Sequence, residues 1–355
     1  MKINVDTLLR TLVIKKASDL HLQAGSRPIF RVHGELVFSD LAVLSSDDIE
    51  RFVYSIMDKD KQERFKRTNH IDLAYSLSGI ARFRVNVFRQ RGCVGAVMRV
   101  IPFEISTLDE LGLPPIVKEL ASKPNGLVLV TGPTGSGKST TLAAIIDHIN
   151  TNRKAHIITI EDPIEFLHTN KCCVINQREL GTDTESFAVA LRDALREDPD
   201  VILVGEMRDL ETISNAITAA ETGHIVFATL HTNNAAQTVN RIIDVFPTHQ
   251  QPQIRTQLSA TLRGVIAQIL LRKKDGSGRV AACEIMVGNA AIRAMIKEGK
   301  TNQINSAIQT SSQEGMQLMD GALKTLCQKE LISVEEAMSK ANDPKSLEQI
   351  LREGY

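Results

Sequence analysis

The segment Gly132-Pro133-Thr134-Gly135-Ser136-Gly137-Lys138-Ser139 constrains this chain more than any other. It fits the pattern G-x-x-x-x-G-K-[ST] at every specified position. Its context fits as well. The apolar run Leu127–Val130 precedes it, and Leu142, Ile145, Ile146 and Ile149 follow at helical spacing. Strand, glycine-rich loop and helix in that order build a phosphate cradle. Glycines let backbone N–H groups turn inward, and the helix N-terminus adds partial positive charge. Lys138 is placed to reach β- and γ-phosphates and Ser139 to ligate Mg²⁺. Gly132 through Thr140 are therefore the expected nucleotide-binding residues, with ATP and Mg²⁺ as the cofactors. GTP is disfavoured because no N-K-x-D base-reading motif is present; Asn170-Lys171-Cys172-Cys173 ends in the wrong residue.

Other segments extend the pattern. Val201–Val204 is a short apolar run followed by Gly205 and Glu206. A buried strand ending in an acid, downstream of a P-loop, supplies the second half of such a site. Gly205 stands where an Asp is common, so Glu206 suits a metal-holding role better than that of general base. Between the two lies Ile160-Glu161-Asp162-Pro163-Ile164-Glu165, three carboxylates in five residues after the run Ile157–Ile160. One of them could polarise a water attacking a γ-phosphate; a solvated acidic loop is the plain alternative. His224 and His231 flank the run Ile225–Ala228, where a histidine could contact a γ-phosphate or be structural.

The four apolar runs are short, β-branched and nearly continuous, with helical patterns between them. They predict strands buried on both faces of a parallel sheet, hence an α/β core. The region before it predicts a small mixed domain. Val5, Leu8, Leu9, Leu12 and Val13 open a helix, Ile29–Val32 and Leu36–Phe38 read as strands around a His33-Gly34 turn, and residues 47–67 read as helical. Phe83, Val85 and Val87 alternate with Arg82, Arg84 and Asn86, which predicts a half-buried strand. Residues 96–101 read as its neighbour, with Arg99 exposed between Met98 and Val100. Pro102, Pro114, Pro115 and Pro124 mark a linker region, and the chain beyond Asn289 predicts a helical bundle.

Composition excludes other classes. The chain has 355 residues, 42 basic and 42 acidic, so its net charge is zero and no chain-wide field attracts nucleic acid. Aromatics are only 4%, which also disfavours a base-stacking surface. No apolar run approaches the ~18–20 residues of a membrane span. Asp6, Arg10, Lys15 and Lys16 interrupt any signal-peptide core, so a cytoplasmic location is expected. The five cysteines include no C-x-x-C pair and read as reduced and structural.

P-loop, acidic box, Gly-Glu strand end and histidine box, in this order, resemble the secretion-type ATPases of type II secretion and type IV pili. Ser18-Asp19-Leu20-His21-Leu22 matches their N-terminal signature. Leu195-Arg196-Glu197-Asp198-Pro199-Asp200 and Glu206-Met207-Arg208-Asp209-Leu210-Glu211-Thr212 match their core. Ala291-Ile292-Arg293-Ala294-Met295-Ile296-Lys297-Glu298 is similar to the Ala-Ile-Arg-Asn-Leu-Ile-Arg-Glu signature of the pilus-retraction branch, departing at Ala294, Met295 and Lys297. The extension and secretion branches usually carry a four-cysteine zinc insertion and extra N-terminal domains, neither of which is seen in this sequence.

The resemblance implies a RecA-like P-loop core with a parallel-type sheet at 124–288. It implies a small α+β, PAS-like N-terminal domain at 1–101, a linker region at 102–123 and C-terminal helices at 289–355. It implies a hexameric, Mg-dependent ATPase motor that powers pilus retraction. Glu165 falls on the catalytic glutamate, Glu206 on the residue that holds Mg²⁺ through water, and His224 and His231 on the histidine box. Arg84 and Arg99 fall on N-domain arginines presented to nucleotide, some across a subunit boundary; Arg82 is a weaker candidate. The implied partners are five further copies of the chain, an inner-membrane pilus platform protein and a related pilus ATPase, with no nucleic acid. The implied location is cytoplasmic, peripheral at the inner membrane. An accessory retraction ATPase, an extension or secretion ATPase and a non-motor regulatory subunit are the alternatives.

Overall fold

The structure is a computed structural model and describes residues 4–32, 34–77, 79–101 and 105–352. The chain forms two compact units, Met1–Glu104 and Ile105–Tyr355. His33 and residues 102–104, the expected turn and the expected start of the linker, lie outside the described residues.

The first unit contains α1 (Val5–Ile14), β1 (Asp19–Leu22), β2 (Ile29–Val32), β3 (Glu35–Phe38), α2 (Ser46–Ser55), α3 (Lys59–Thr68), β4 (His70–Leu77), β5 (Ala81–Gln90) and β6 (Cys93–Ile101). Its six strands form an antiparallel sheet in the order β3-β2-β1-β6-β5-β4. Phe83, Val85 and Val87 face a core with Leu8, Leu9 and Leu12 of α1 and Ile49, Phe52 and Val53 of α2. The helical stretch expected over 47–67 is two helices. Asp58 accepts the Lys61 amide at 2.8 Å and starts a new helix there.

The second unit begins with α4 (Ile116–Ala121), β7 (Gly126–Thr131), α5 (Lys138–Asn152), β8 (His156–Glu161), β9 (Val174–Glu179), α6 (Phe187–Ala194), β10 (Val201–Val204), α7 (Leu210–Glu221) and β11 (Ile225–Leu230). It continues with α8 (Ala235–Asp244), α9 (Gln251–Thr261), β12 (Leu262–Arg272), β13 (Arg279–Val287), α10 (Ala290–Glu298), α11 (Ile304–Thr310), α12 (Met319–Gln328), α13 (Val334–Met338) and α14 (Pro344–Arg352). The seven strands lie in the order β13-β12-β7-β11-β10-β8-β9. All neighbours are parallel except β13, which returns antiparallel along β12.

Alternation along β7 shows why both faces are apolar. Leu127 and Leu129 pack with α6–α9, while Val128 and Val130 pack with α4 and α5. From Ile105 on, the expected linker is not an open tether, because Leu108, Leu113, Val117 and Leu120 are buried in this second core. Nor do the C-terminal helices form a bundle of their own. Ile292, Ile296, Ile304 and Ile308 join the core beneath α8 and α9. Leu323, Leu326 and Leu347 pack on Leu271 and Val280 of the β12–β13 hairpin. Among the described residues no helix is long and apolar enough to cross a membrane.

The parallel order decides where a site can form. The P-loop follows β7, the acidic loop follows β8, Gly205-Glu206 follows β10 and His231 follows β11. All four leave the sheet at its carboxyl edge, where open α/β sheets bind ligands.

Candidate nucleotide site

The loop between β7 and α5 has the backbone that its glycines permit. Gly132, Gly135 and Gly137 have φ of 140°, 79° and 89°, in the left-handed region. At Gly132 a Cβ would also strike the carbonyl oxygen of Gln268. Lys138 folds over the loop, donating from Nζ to the carbonyls of Gly132 at 2.9 Å and Pro133 at 3.1 Å. Ser139 and Thr140 continue on the first turn of α5. Ser136 Oγ is buried with no hydrogen-bond partner among the described residues. Gln268 on β12 donates to the Ser136 carbonyl at 2.7 Å and accepts from Thr141 Oγ1 at 2.9 Å. Gln268 thus pins both sides of the cradle. Its signal in the sequence is one amide inside the apolar stretch of β12.

Beside the cradle stands Glu206. Arg208 donates to its carboxylate from Nε at 2.5 Å and Nη2 at 2.7 Å, and His231 Nε2 lies 3.0 Å from it. Burial alone would raise the Glu206 carboxyl, but Arg208 and His231 outweigh it and hold it below its ordinary range. Burial lowers the Lys138 ammonium, opposed by the charges of Glu206 and Glu165. Lys138, Glu165, Glu206 and His231 therefore share one electrostatic environment. Arg208, to which the motif itself gives no role, also feels Asp162. The donors fit a hard cation, since Ser139 offers a hydroxyl and Glu206 a carboxylate, both oxygen.

Glu165 is exposed on the loop between β8 and β9, whereas Glu161 is half-buried at the end of β8. The Glu161 carboxylate accepts from Thr159 Oγ1 at 2.7 Å and Gln177 Nε2 at 3.1 Å. Burial raises its carboxyl. Of the three loop acids, Glu165 is thus both accessible and coupled to Lys138. His168, on the same loop, is pushed down to about 4 from its ordinary 6.5 by burial, and its Nδ1 has no partner among the described residues. The depressed value means protonation favours the unfolded chain. Stability conferred by the neutral ring is present above pH 6.5 and lost as pH falls toward 4. The wild type is expected to lose ~3 kcal/mol more than His168→Gln across that window, read by urea unfolding at each pH.

Two of the expected site residues have partners of their own away from this cluster. His224 does not reach the P-loop of its own subunit. Its carbonyl accepts from Gly126 at the start of β7, and its Nδ1 lies 2.9 Å from the Ala219 carbonyl at the end of α7. β11 runs parallel to β7 from Ile225 beside Gly126 to Leu230 beside Thr131. The two histidines therefore sit at opposite ends of a strand, roughly 20 Å apart at ~3.3 Å per residue. Arg99, expected to be presented to nucleotide, stays largely exposed but is anchored within its own domain. Its Nε donates to Asp19 at 2.7 Å, and Asp19 is 3% exposed, with Arg31 at 3.8 Å on its other side. Arg84 sits directly opposite Arg99 on β5, is exposed, and makes no ion pair among the described residues.

Residues 1–352 match the model of the type II/IV secretion system protein family. The chain is 51% identical over 343 residues to the type IV pilus retraction ATPase PilT of Pseudomonas aeruginosa, covering 97% of this chain and 99% of that one. It is 50% identical over 341 residues to the twitching motility protein of Neisseria gonorrhoeae, covering 96% and 91%. The crystal structure of the pilus retraction motor PilT with bound ADP superposes with a TM-score of 0.92 at 47% identity, over 98% of this chain and 99% of that one. The architecture is accordingly an N-terminal domain followed by a RecA-like core, and the chain belongs to the type II/IV secretion system ATPase family.

Proposed function

We propose that this chain is an ATP-hydrolysing motor that powers type IV pilus retraction. The observation that carries the reading is the convergence of Lys138, Glu165 and Glu206 at one sheet edge beside an intact P-loop. The full-length likeness to a retraction ATPase and to an ADP-bound retraction motor supports it. The P-loop amides and Lys138 bind the phosphates. Ser139 and Glu206 would hold Mg²⁺, which when bound neutralises phosphate charge. Glu165 accepts a hydrogen bond from the attacking water and takes its proton. His231, held on Glu206, places a polar ring at the γ-phosphate end.

The motor works as a homo-hexamer in the cytoplasm, peripheral at the inner membrane. It acts on the pilus platform protein and alongside a related pilus ATPase. Arg84 and Arg99 bring positive charge to the nucleotide of an adjacent subunit. Arg84 is the cleaner probe, since removing Arg99 also takes the nearer of two guanidinium partners from the buried Asp19 carboxylate.

ATP turnover per subunit, measured across protein concentrations, tests this reading. Specific activity should rise with concentration, and Arg84→Ala should stay oligomeric while turning over slowly. Flat activity in a monomer, with Arg84 dispensable, would mean a self-contained nucleotidase and no motor.

A further inference from the structure

We propose that Gln177 and Glu179, on the edge strand β9, are positioning residues that hold the loop carrying Glu165 in its working place; the inference rests on the reading of Glu165 as the water-activating residue. The two side chains lie two residues apart and so project from the same face of β9. Gln177 uses its whole amide on the loop. Its Oε1 accepts the His168 amide at 2.8 Å, and its Nε2 donates to the Phe166 carbonyl at 2.9 Å and to Glu161 at 3.1 Å. Glu179, 6% exposed, accepts the Ile164 amide at 3.2 Å. The amide of Glu165 itself favours the charged form of Glu161. Backbone groups on both sides of Glu165 are thus tied to the half-buried Gln177 and the buried Glu179, while its carboxylate stays exposed.

Register makes the arrangement more than ordinary loop anchoring. β8 and β9 place Thr159 beside Gln177 and Glu161 beside Glu179. Two neighbouring acids on adjacent strands repel, and burying either costs free energy unless hydrogen bonds compensate. Here part of the compensation comes from amides of the acidic loop, Ile164 toward Glu179 and Glu165 toward Glu161, so part of the cost is offset only while the loop keeps its shape. A base on a surface loop needs such restraint, because a displacement of about 1 Å can lower turnover by roughly 100-fold.

The test uses the full chain with Gln177→Leu, Glu179→Leu and Glu179→Gln, each alone and combined with Glu165→Gln. Phosphate release gives kcat and KM, a fluorescent ATP analogue gives affinity, and thermal melting monitors the fold. The leucine variants should lower kcat by about 10- to 100-fold, with KM and affinity within about twofold of wild type. Glu179→Gln, which keeps an oxygen for the Ile164 amide, should recover most of that loss. On the Glu165→Gln background the leucine variants should lower turnover no further. Unchanged kcat, a matching loss of affinity, or losses that multiply with Glu165→Gln would each overturn the inference. If Gln177→Leu melts early, Gln177→Glu carries the same comparison, since it keeps the His168 contact but not the donor to Phe166. Wild-type turnover by Glu165→Gln alone would instead remove the reading of Glu165, and the inference with it.

Discussion

Glu165→Gln is expected to bind ATP as tightly as the wild type and to hydrolyse it about 10²- to 10⁴-fold more slowly, the range general-base catalysis supplies. That loss corresponds to roughly 3–5 kcal/mol of transition-state stabilisation. The substitution is nearly isosteric and leaves the P-loop, Lys138 and Gln268 untouched, so the phosphate cradle persists. What disappears is the carboxylate that, in the proposed mechanism, accepts the water's proton. Neither neighbouring acid replaces it. Glu161 is half-buried and bonded to Thr159 and Gln177, and the charge of Asp162 lies toward Arg208. Phosphate release and nucleotide affinity, measured on the same preparation, separate the two steps. Wild-type-like release from Glu165→Gln would move the base elsewhere.

Lys138→Ala is expected to lose both steps. A charge-assisted hydrogen bond to phosphate is worth about 1.5–3 kcal/mol, hence roughly 10- to 100-fold in affinity. The loss in turnover is larger, because the charge that develops between the β- and γ-phosphates would then be unopposed. The substitution also frees the Gly132 and Pro133 carbonyls that Lys138 now bridges, loosening the loop. Equilibrium binding of a fluorescent ATP analogue checks the first effect and phosphate release the second. Unchanged affinity would mean that the backbone amides alone hold the nucleotide.

Much of this architecture is legible in the residues, and the gaps have physical causes. The four central strands are buried on both faces, so each announces itself as an apolar run. β9 is an edge strand reading Val-Ile-Asn-Gln-Arg-Glu, and its polar side chains hide it. Those same side chains serve the acidic loop. β12 is apolar and long, yet its pairing with β7 depends on contacts distant in sequence. The P-loop and Glu206 belong to local motifs with a fixed mechanism, and they converge at one edge. His224 shows the limit of motif proximity: seven residues from His231 along the sequence, it lies at the far end of a strand. Arg99 shows another limit. Alternation predicts an exposed face, but not the buried Asp19 on the neighbouring strand that claims the guanidinium. The split of 47–67 turns on Asp58, a capping residue inside a helical pattern.

The most direct test of the whole account is pilus retraction in living cells. A strain of a piliated relative lacking its own retraction ATPase would carry this chain, and retraction of fluorescently labelled pili would be counted. The account predicts that the wild-type chain restores retraction and that Glu165→Gln, expressed to the same level, does not. Equal retraction with either chain, or pilus extension in place of retraction, would contradict it.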